Sequence, residues 1–172
     1  MKKLMALAIL FILIFSAFIG LALFGSEKTL VEAEVTVQAP VSVVLKTLQE
    51  QSPQSAWARQ IRITKLLKNG NRSALYHFGS HKLPVQESML FQPQKNQIQT
   101  VQTDKKPASL LGHIRNTIVA RSLPDGSTAI SWKLEYTLFS LSSRLLNFYF
   151  IRPDVQHMLN RHLNDFAAFL GN

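Results

Sequence analysis

The sequence predicts an α+β fold: a curved antiparallel sheet of about six to seven strands wraps around a long C-terminal helix, preceded by one transmembrane helix. Three observations lead to it: an apolar N-terminal run, a series of alternating segments between turn residues, and a final segment with apolar residues every three or four positions. Alternation is typical of half-buried strands and the wider spacing of amphipathic helices. A single helix after consecutive hairpins has to bury its apolar face on the sheet, and a sheet of this many strands twists and curls. We therefore expect the helix in the concave face, with space between them.

The N-terminal run from Leu4 to Phe24 contains no charged residue, and Lys2 and Lys3 precede it. About 20 apolar residues cross a bilayer, and the positive-inside rule keeps the lysines in the cytoplasm. We expect a single-pass protein of the cytoplasmic (inner) membrane with its C-terminal domain periplasmic or extracellular. The alternative is a secretory signal cleaved near Ala22. The predicted division is 1–26 as anchor or uncleaved signal and 27–172 as ligand-binding domain.

Composition excludes several classes of site. The chain has no cysteine, so it has no disulfide, thiol nucleophile or thiolate metal site. Its net charge of +9 attracts anions, of which a lipid surface is the nearest for a domain beside a membrane. The basic residues are scattered and not interleaved with aromatics, so we expect no nucleic-acid partner. His77 and His81 would lie ~13 Å apart along a strand, and we predict no metal and no cofactor.

The elements follow from local patterns. Strands are predicted over Leu30–Gln38, Ile61–Lys68, Arg72–Phe78, Val85–Phe91, Gln97–Thr103, Leu111–Leu123 and Thr128–Leu138. Asn69-Gly70 is a strong two-residue hairpin signal. A short helix follows Pro40, and a second helical segment covers Ser140–Ile151, where Pro153 is expected to break or kink it. From Asp154 onward the apolar stripe predicts the packing face, made by Val155, Met158, Leu159, Phe166 and Phe169.

The opening of the domain carries a resemblance to a known superfamily. A strand runs into Ala39-Pro40, Val44 and Leu48 follow on the first helix, and Trp57 precedes the second strand. This order resembles the helix-grip fold of the START / polyketide cyclase-like (SRPBCC) superfamily over about residues 30 to 170. Two departures exist, because members often have an aromatic residue where this chain has Val44 and an acidic residue soon after the Leu48 position, where Gln49 comes first. The resemblance implies an apolar ligand, such as a lipid, sterol, quinone or polyketide, under the last helix. Some members are cyclases or hydrolases, but their catalytic residues vary, so none is carried over.

The candidate ligand-binding residues are those that strand parity and helix phase direct toward the concave face. They are Tyr76, Phe78, Glu87, Met89, Asn116, Trp132, Tyr136 and His162. A packed core rarely keeps isolated polar groups without partners, whereas a ligand site uses a few for orientation. Three alternatives stay open: Glu87 at an exposed strand end, His162 as a hydrogen-bonded histidine at the core edge, and Trp132 and Tyr136 as core residues.

Three functions are compatible with these patterns. The first is a membrane-anchored, exported domain that binds a hydrophobic or lipid-like ligand between sheet and helix. The second is a cyclase or hydrolase that uses Glu87, His162 or Tyr136, with Glu87 and His162 as an acid–base pair. The third is a non-catalytic envelope interaction domain with a filled core. An apolar cavity favours the first, converging polar groups the second, and the absence of a cavity the third.

Overall fold

The computed structural model describes residues 2–24, 27–67, 70–104 and 111–171. The helices are α1 (Lys2–Phe24), α2 (Val41–Gln49), α3 (Leu141–Leu146) and α4 (Arg152–Gly171), with a π-helical turn over Asn147–Ile151 and a short 3-10 turn over Pro93–Lys95. The strands are β1 (Lys28–Val37), β2 (Ile61–Leu66), β3 (Asn71–Phe78), β4 (His81–Gln92), β5 (Gln97–Gln102), β6 (Leu111–Ser122) and β7 (Thr128–Leu138).

The seven strands form one antiparallel sheet in the order β1-β7-β6-β5-β4-β3-β2. Consecutive strands from β2 to β7 are neighbours, and β1 closes the far side by pairing with β7. Apolar and polar positions alternate in burial along β7, as its sequence predicts. The predicted curved sheet with a C-terminal helix is thereby confirmed.

Helix α4 lies on the sheet and contacts β1 and β3. Its buried face consists of Val155, Met158, Leu159, His162, Leu163 and Phe166. The prediction that Phe169 belongs to this face is wrong, because its side chain is 50% exposed. Phe169 comes near the end of the helix, where it borders a surface depression shared with Trp57 and Arg59.

The break or kink predicted at Pro153 does not end the helical stretch, which continues from α3 through the π-helical turn into α4. As the second residue of α4, Pro153 has no backbone N–H to donate to the preceding turn. The irregularity lies instead just before it, in the π-helical turn over Asn147–Ile151.

The β3–β4 hairpin determines which side chains face each other at the site. Its turn has Gly79 at φ +55°, a left-handed conformation that glycine adopts without steric cost. Phe78 therefore pairs with His81, and each residue of β3 pairs with the residue of β4 equally far from the turn. In the predicted β2–β3 turn, Gly70 also has a positive φ of +74°, while Asn69 lies outside the described residues.

The predicted transmembrane helix and single-pass inner-membrane location are wrong. Across the described parts of the chain, none of the helices combines the length and apolar character that crossing a bilayer requires. Helix α1 contacts α3.

Candidate functional site

A buried ion pair lies on the concave face of the β3–β4 hairpin. The hairpin register places Arg72 directly opposite Glu87, and the Nε of Arg72 donates to Oε1 of Glu87 at 2.7 Å. Glu87 is only 1% exposed, so it does not lie at an exposed strand end. A carboxylate removed from water is costly unless a counter-charge and hydrogen bonds replace the lost hydration. Arg72 supplies the counter-charge.

The second oxygen of Glu87 begins a hydrogen-bonded series that crosses five strands. It accepts from the hydroxyl of Tyr76 at 2.7 Å and from that of Thr100 at 3.2 Å. The amide nitrogen of Asn116 donates to both hydroxyl oxygens, at 2.8 and 2.9 Å. The indole of Trp132 donates to the amide oxygen of Asn116 at 3.1 Å. We call Arg72, Glu87, Tyr76, Thr100, Asn116 and Trp132 the polar ladder.

Burial and charge keep the Tyr76 hydroxyl protonated. Desolvation raises the pKa of Tyr76 well above its ordinary value, and the negative charge of Glu87 raises it further. Tyr76 therefore acts as a hydrogen-bond donor to Glu87 and an acceptor from Asn116.

His162 lies over the ladder from the helix side, fully buried. Its ring is 5.0 Å from the ring of Trp132 and 5.2 Å from that of Trp57, measured between centroids. Neither ring nitrogen has a hydrogen-bond partner among the described residues. Burial, with a smaller contribution from the charge of Arg72, lowers the pKa of His162 to about 3. The imidazole is thus neutral at neutral pH.

The acid–base pair that the sequence suggested does not form. The oxygens of Glu87 accept from the ladder, whereas the nitrogens of His162 have no partner. A second expectation, that His162 is a hydrogen-bonded histidine at the core edge, is also wrong, since the ring is buried among aromatic rings.

Tyr136 belongs to a separate buried cluster. Its hydroxyl donates to the amide oxygen of Asn147, whose nitrogen donates to the hydroxyl of Thr29 at 2.9 Å. We call these three residues the amide clamp, because they tie the π-helical turn to β7 and β1. Burial raises the pKa of Tyr136 to about 12.

An apolar pocket of about 140 Å³ opens where α4 begins. It is lined by Phe78, His81, Lys82, Leu83, Leu111, Phe150, Ile151 and Asp154. Leu83 pairs directly with Tyr76 in the sheet, so the inner wall of the pocket adjoins the polar ladder. From Asp154 to His162 the rise along α4 is about 12 Å. Pocket, ladder and His162 therefore follow one another along the helix.

The predicted site residues are distributed over these three places. Four of them belong to the ladder: Tyr76, Glu87, Asn116 and Trp132. Beside the ladder, the sulfur of Met89 lies 3.7 Å from Nη1 of Arg72, and His162 lies on the helix side. Phe78 lines the pocket, and Tyr136 is part of the amide clamp. Their assignment as ligand-binding residues stays a prediction.

Sequence reasoning missed Arg72 and Thr100. A signal for Arg72 was present, because a two-residue turn at Gly79-Ser80 places it opposite Glu87. Thr100 pairs with Asn116 across β5 and β6, a register that strand periodicity alone does not provide.

Another depression lies away from α4. It measures about 540 Å³ and lies near the irregular pairing of β6 with β7. Its lining includes Arg115 and Glu135 together with Thr29 and Tyr136 of the amide clamp. Within the described residues, no three His, Asp or Glu side chains are grouped as a metal site requires.

The geometry can be compared with known proteins. No protein-family model matches the chain, and no curated protein matches its sequence. Solved structures do match it. The Zhui aromatase/cyclase from Streptomyces sp. R1128 has a TM-score of 0.59 at 15% identity, over 80% of this chain and 93% of that one. A START superfamily protein from Mycobacterium smegmatis has a TM-score of 0.59 at 13% identity, over 82% and 98%.

The fold is the START-like helix grip. Norcoclaurine synthase from Thalictrum flavum, solved with dopamine and hydroxybenzaldehyde, has the same architecture, with a TM-score of 0.60 at 10% identity over 84% of this chain and 87% of that one. Identities this low establish the fold alone, and the predicted SRPBCC architecture is confirmed to that extent.

Proposed function

We propose that this START-like domain binds an elongated apolar molecule between α4 and the concave sheet. The molecule enters at the pocket beside the start of α4, and its polar group meets the ladder and His162. The observation that carries this proposal is the order along α4: an apolar pocket, the polar ladder beside its wall at Leu83, and then His162, whose two ring nitrogens have no partner among the described residues.

The unpartnered nitrogens argue against a purely structural role for His162. A buried polar atom without a hydrogen bond costs about 1–3 kcal/mol, and native cores contain few of them. A hydroxyl or carbonyl group on a ligand could supply the missing bond to the neutral imidazole, so a neutral polar group suits this position best.

The pocket walls suit an apolar body. Phe78, Leu83 and Ile151 present carbon surface, and burial of apolar ligand area contributes roughly 25 cal/mol per Å². Space for a longer ligand has to come from displacement of side chains along α4, since Leu159 and Phe166 are fully buried in the structure. The START and cyclase neighbours share the architecture that frames this space.

Binding can be tested by the fluorescence of Trp132. The chain has two tryptophans, so Trp57→Phe leaves Trp132 as the single reporter. Oleate, decylubiquinone and lysophosphatidylcholine, titrated separately into the purified full chain, are the probes. We expect at least one to shift the Trp132 emission and to raise the melting temperature of the unmodified chain.

A pair of matched substitutions locates the site. Leu83→Phe fills the pocket wall and should abolish the emission change, whereas Leu90→Phe on the same strand, at an exposed position, should leave it intact. Circular dichroism checks that both variants fold. If no probe binds, or if the two variants bind equally, the proposed site fails, and a filled interaction domain takes its place.

A further inference from the structure

Three consecutive aromatic side chains are exposed beside the pocket. Phe148, Tyr149 and Phe150 are 65%, 48% and 63% exposed, and we call them the aromatic turn. They occupy the π-helical turn between α3 and α4. Exposed apolar surface that is contiguous rather than scattered marks an interaction site in most soluble domains.

The fold holds this turn with its rings outward. Asn147 and Ile151, at its two ends, are buried. The amide clamp ties Asn147 to β7 and β1, so the turn cannot roll its rings inward without breaking two buried hydrogen bonds. π-Helical turns inside helices are rare and frequently occur at functional sites.

We propose that the aromatic turn docks on the surface of an anionic lipid bilayer. The exposed cations Arg152 and Lys82 flank it, one beside the turn in sequence and the other across the pocket. Asp154 also borders this pocket, and its carboxylate packs against Gly79. Aromatic rings favour the headgroup–acyl boundary, and basic side chains are attracted to anionic headgroups.

Self-association fits the same features less well. In a two-fold interface the same patch of two copies packs together, which brings Arg152 and Lys82 of one copy close to those of the other. The rings also do not form a flat surface, since Phe148 and Tyr149 are inclined by 80° and Tyr149 and Phe150 by 53°. A fluid lipid surface adapts to such a shape.

The position of Phe150 connects docking to the pocket. Its ring is exposed and also lines the pocket, as does the neighbouring Ile151. A docked turn would therefore place the pocket opening against the lipid, where an acyl chain can pass into it. This transfer step rests on the proposed function, whereas the docking contact does not.

A single fluorophore tests the docking contact. The chain has no cysteine, so a single introduced cysteine carries a single environment-sensitive label. One variant of the full chain is Tyr149→Cys, and the control variant is Leu66→Cys, at an exposed position on β2. The vesicles contain phosphatidylcholine with or without phosphatidylserine, and nitroxide-bearing lipid serves as quencher. We expect a blue shift and quenching at position 149 on phosphatidylserine vesicles, reduced by added salt, and neither at position 66.

The two labelled variants differ only in the position of the label, so any general attachment to vesicles affects them alike. Adding Phe148→Ser to the Tyr149→Cys chain should weaken its affinity for the vesicles roughly tenfold, which is the contribution expected from burying one large apolar side chain. Equal signals at 149 and 66, or no signal at 149, would overturn the proposal. A shift at 149 that depends on protein concentration without vesicles would assign the turn to a second copy instead. If Trp132 fluorescence reports probe binding but position 149 does not contact vesicles, the docking proposal alone is contradicted. If position 149 contacts vesicles but no probe binds, the proposed function alone is contradicted.

Discussion

The polar ladder and the amide clamp are both buried, and both contain a tyrosine hydroxyl, yet they differ in completeness. In the clamp, Tyr136, Asn147 and Thr29 satisfy one another and contain no charge. The ladder contains an ion pair, and His162 above it has two unsatisfied nitrogens. A closed cluster stabilises a fold, whereas an open one retains hydrogen-bonding capacity for a ligand.

The parts of the fold that the two clusters connect also differ. The clamp connects segments far apart in the chain and holds the π-helical turn in place. The ladder lies across adjacent strands, next to the pocket wall at Leu83. Burial alone therefore does not distinguish the two clusters, whereas the balance of donors and acceptors does. Three experiments test this difference.

The largest effect is expected from removing the charge partner in the ladder. Arg72→Met leaves the carboxylate of Glu87 buried without a counter-charge, which should lower the free energy of unfolding by roughly 3–5 kcal/mol. Lys133→Met breaks the exposed pair with Glu32, 3.0 Å apart, and should cost about 0–1 kcal/mol. Urea unfolding measures both. Similar losses in the two variants would show that Glu87 is effectively solvated.

Matched tyrosine variants should separate the two clusters directly. Tyr136→Phe and Tyr76→Phe each remove one buried hydroxyl, and each should lower stability by about 1–3 kcal/mol. Only Tyr76→Phe should change the affinity of a probe read by Trp132. An equal change in affinity from Tyr136→Phe would mean that the clamp, too, belongs to the ligand site.

A third effect concerns pH. His162 has a pKa of about 3 when folded, against 6.5 as its ordinary value, so the unfolded chain takes up the proton first as pH falls. Stability from this group is complete above pH 6.5 and declines between 6.5 and about 3, by up to about 1.4 kcal/mol per pH unit. The difference in unfolding free energy between pH 7 and pH 5 should shrink in His162→Phe and persist in His157→Gln, on the exposed side of α4. An unchanged difference in His162→Phe would place its protonation outside the core.

The seven strands, the C-terminal helix and most of its buried face could be predicted from the sequence. These follow from local periodicity, because a side chain's direction repeats every two residues in a strand and every 3.6 in a helix. Strand parity and helix phase also predicted that Glu87, Asn116 and His162 face inward. Their partners depend on tertiary contacts that local patterns do not encode: hairpin register places Arg72, strand order places Thr100, and His162 has no hydrogen-bond partner in the described part of the chain. Phe169 was misjudged for a related reason. Apolar character is a property of the residue, but what covers it is decided by elements distant in the chain.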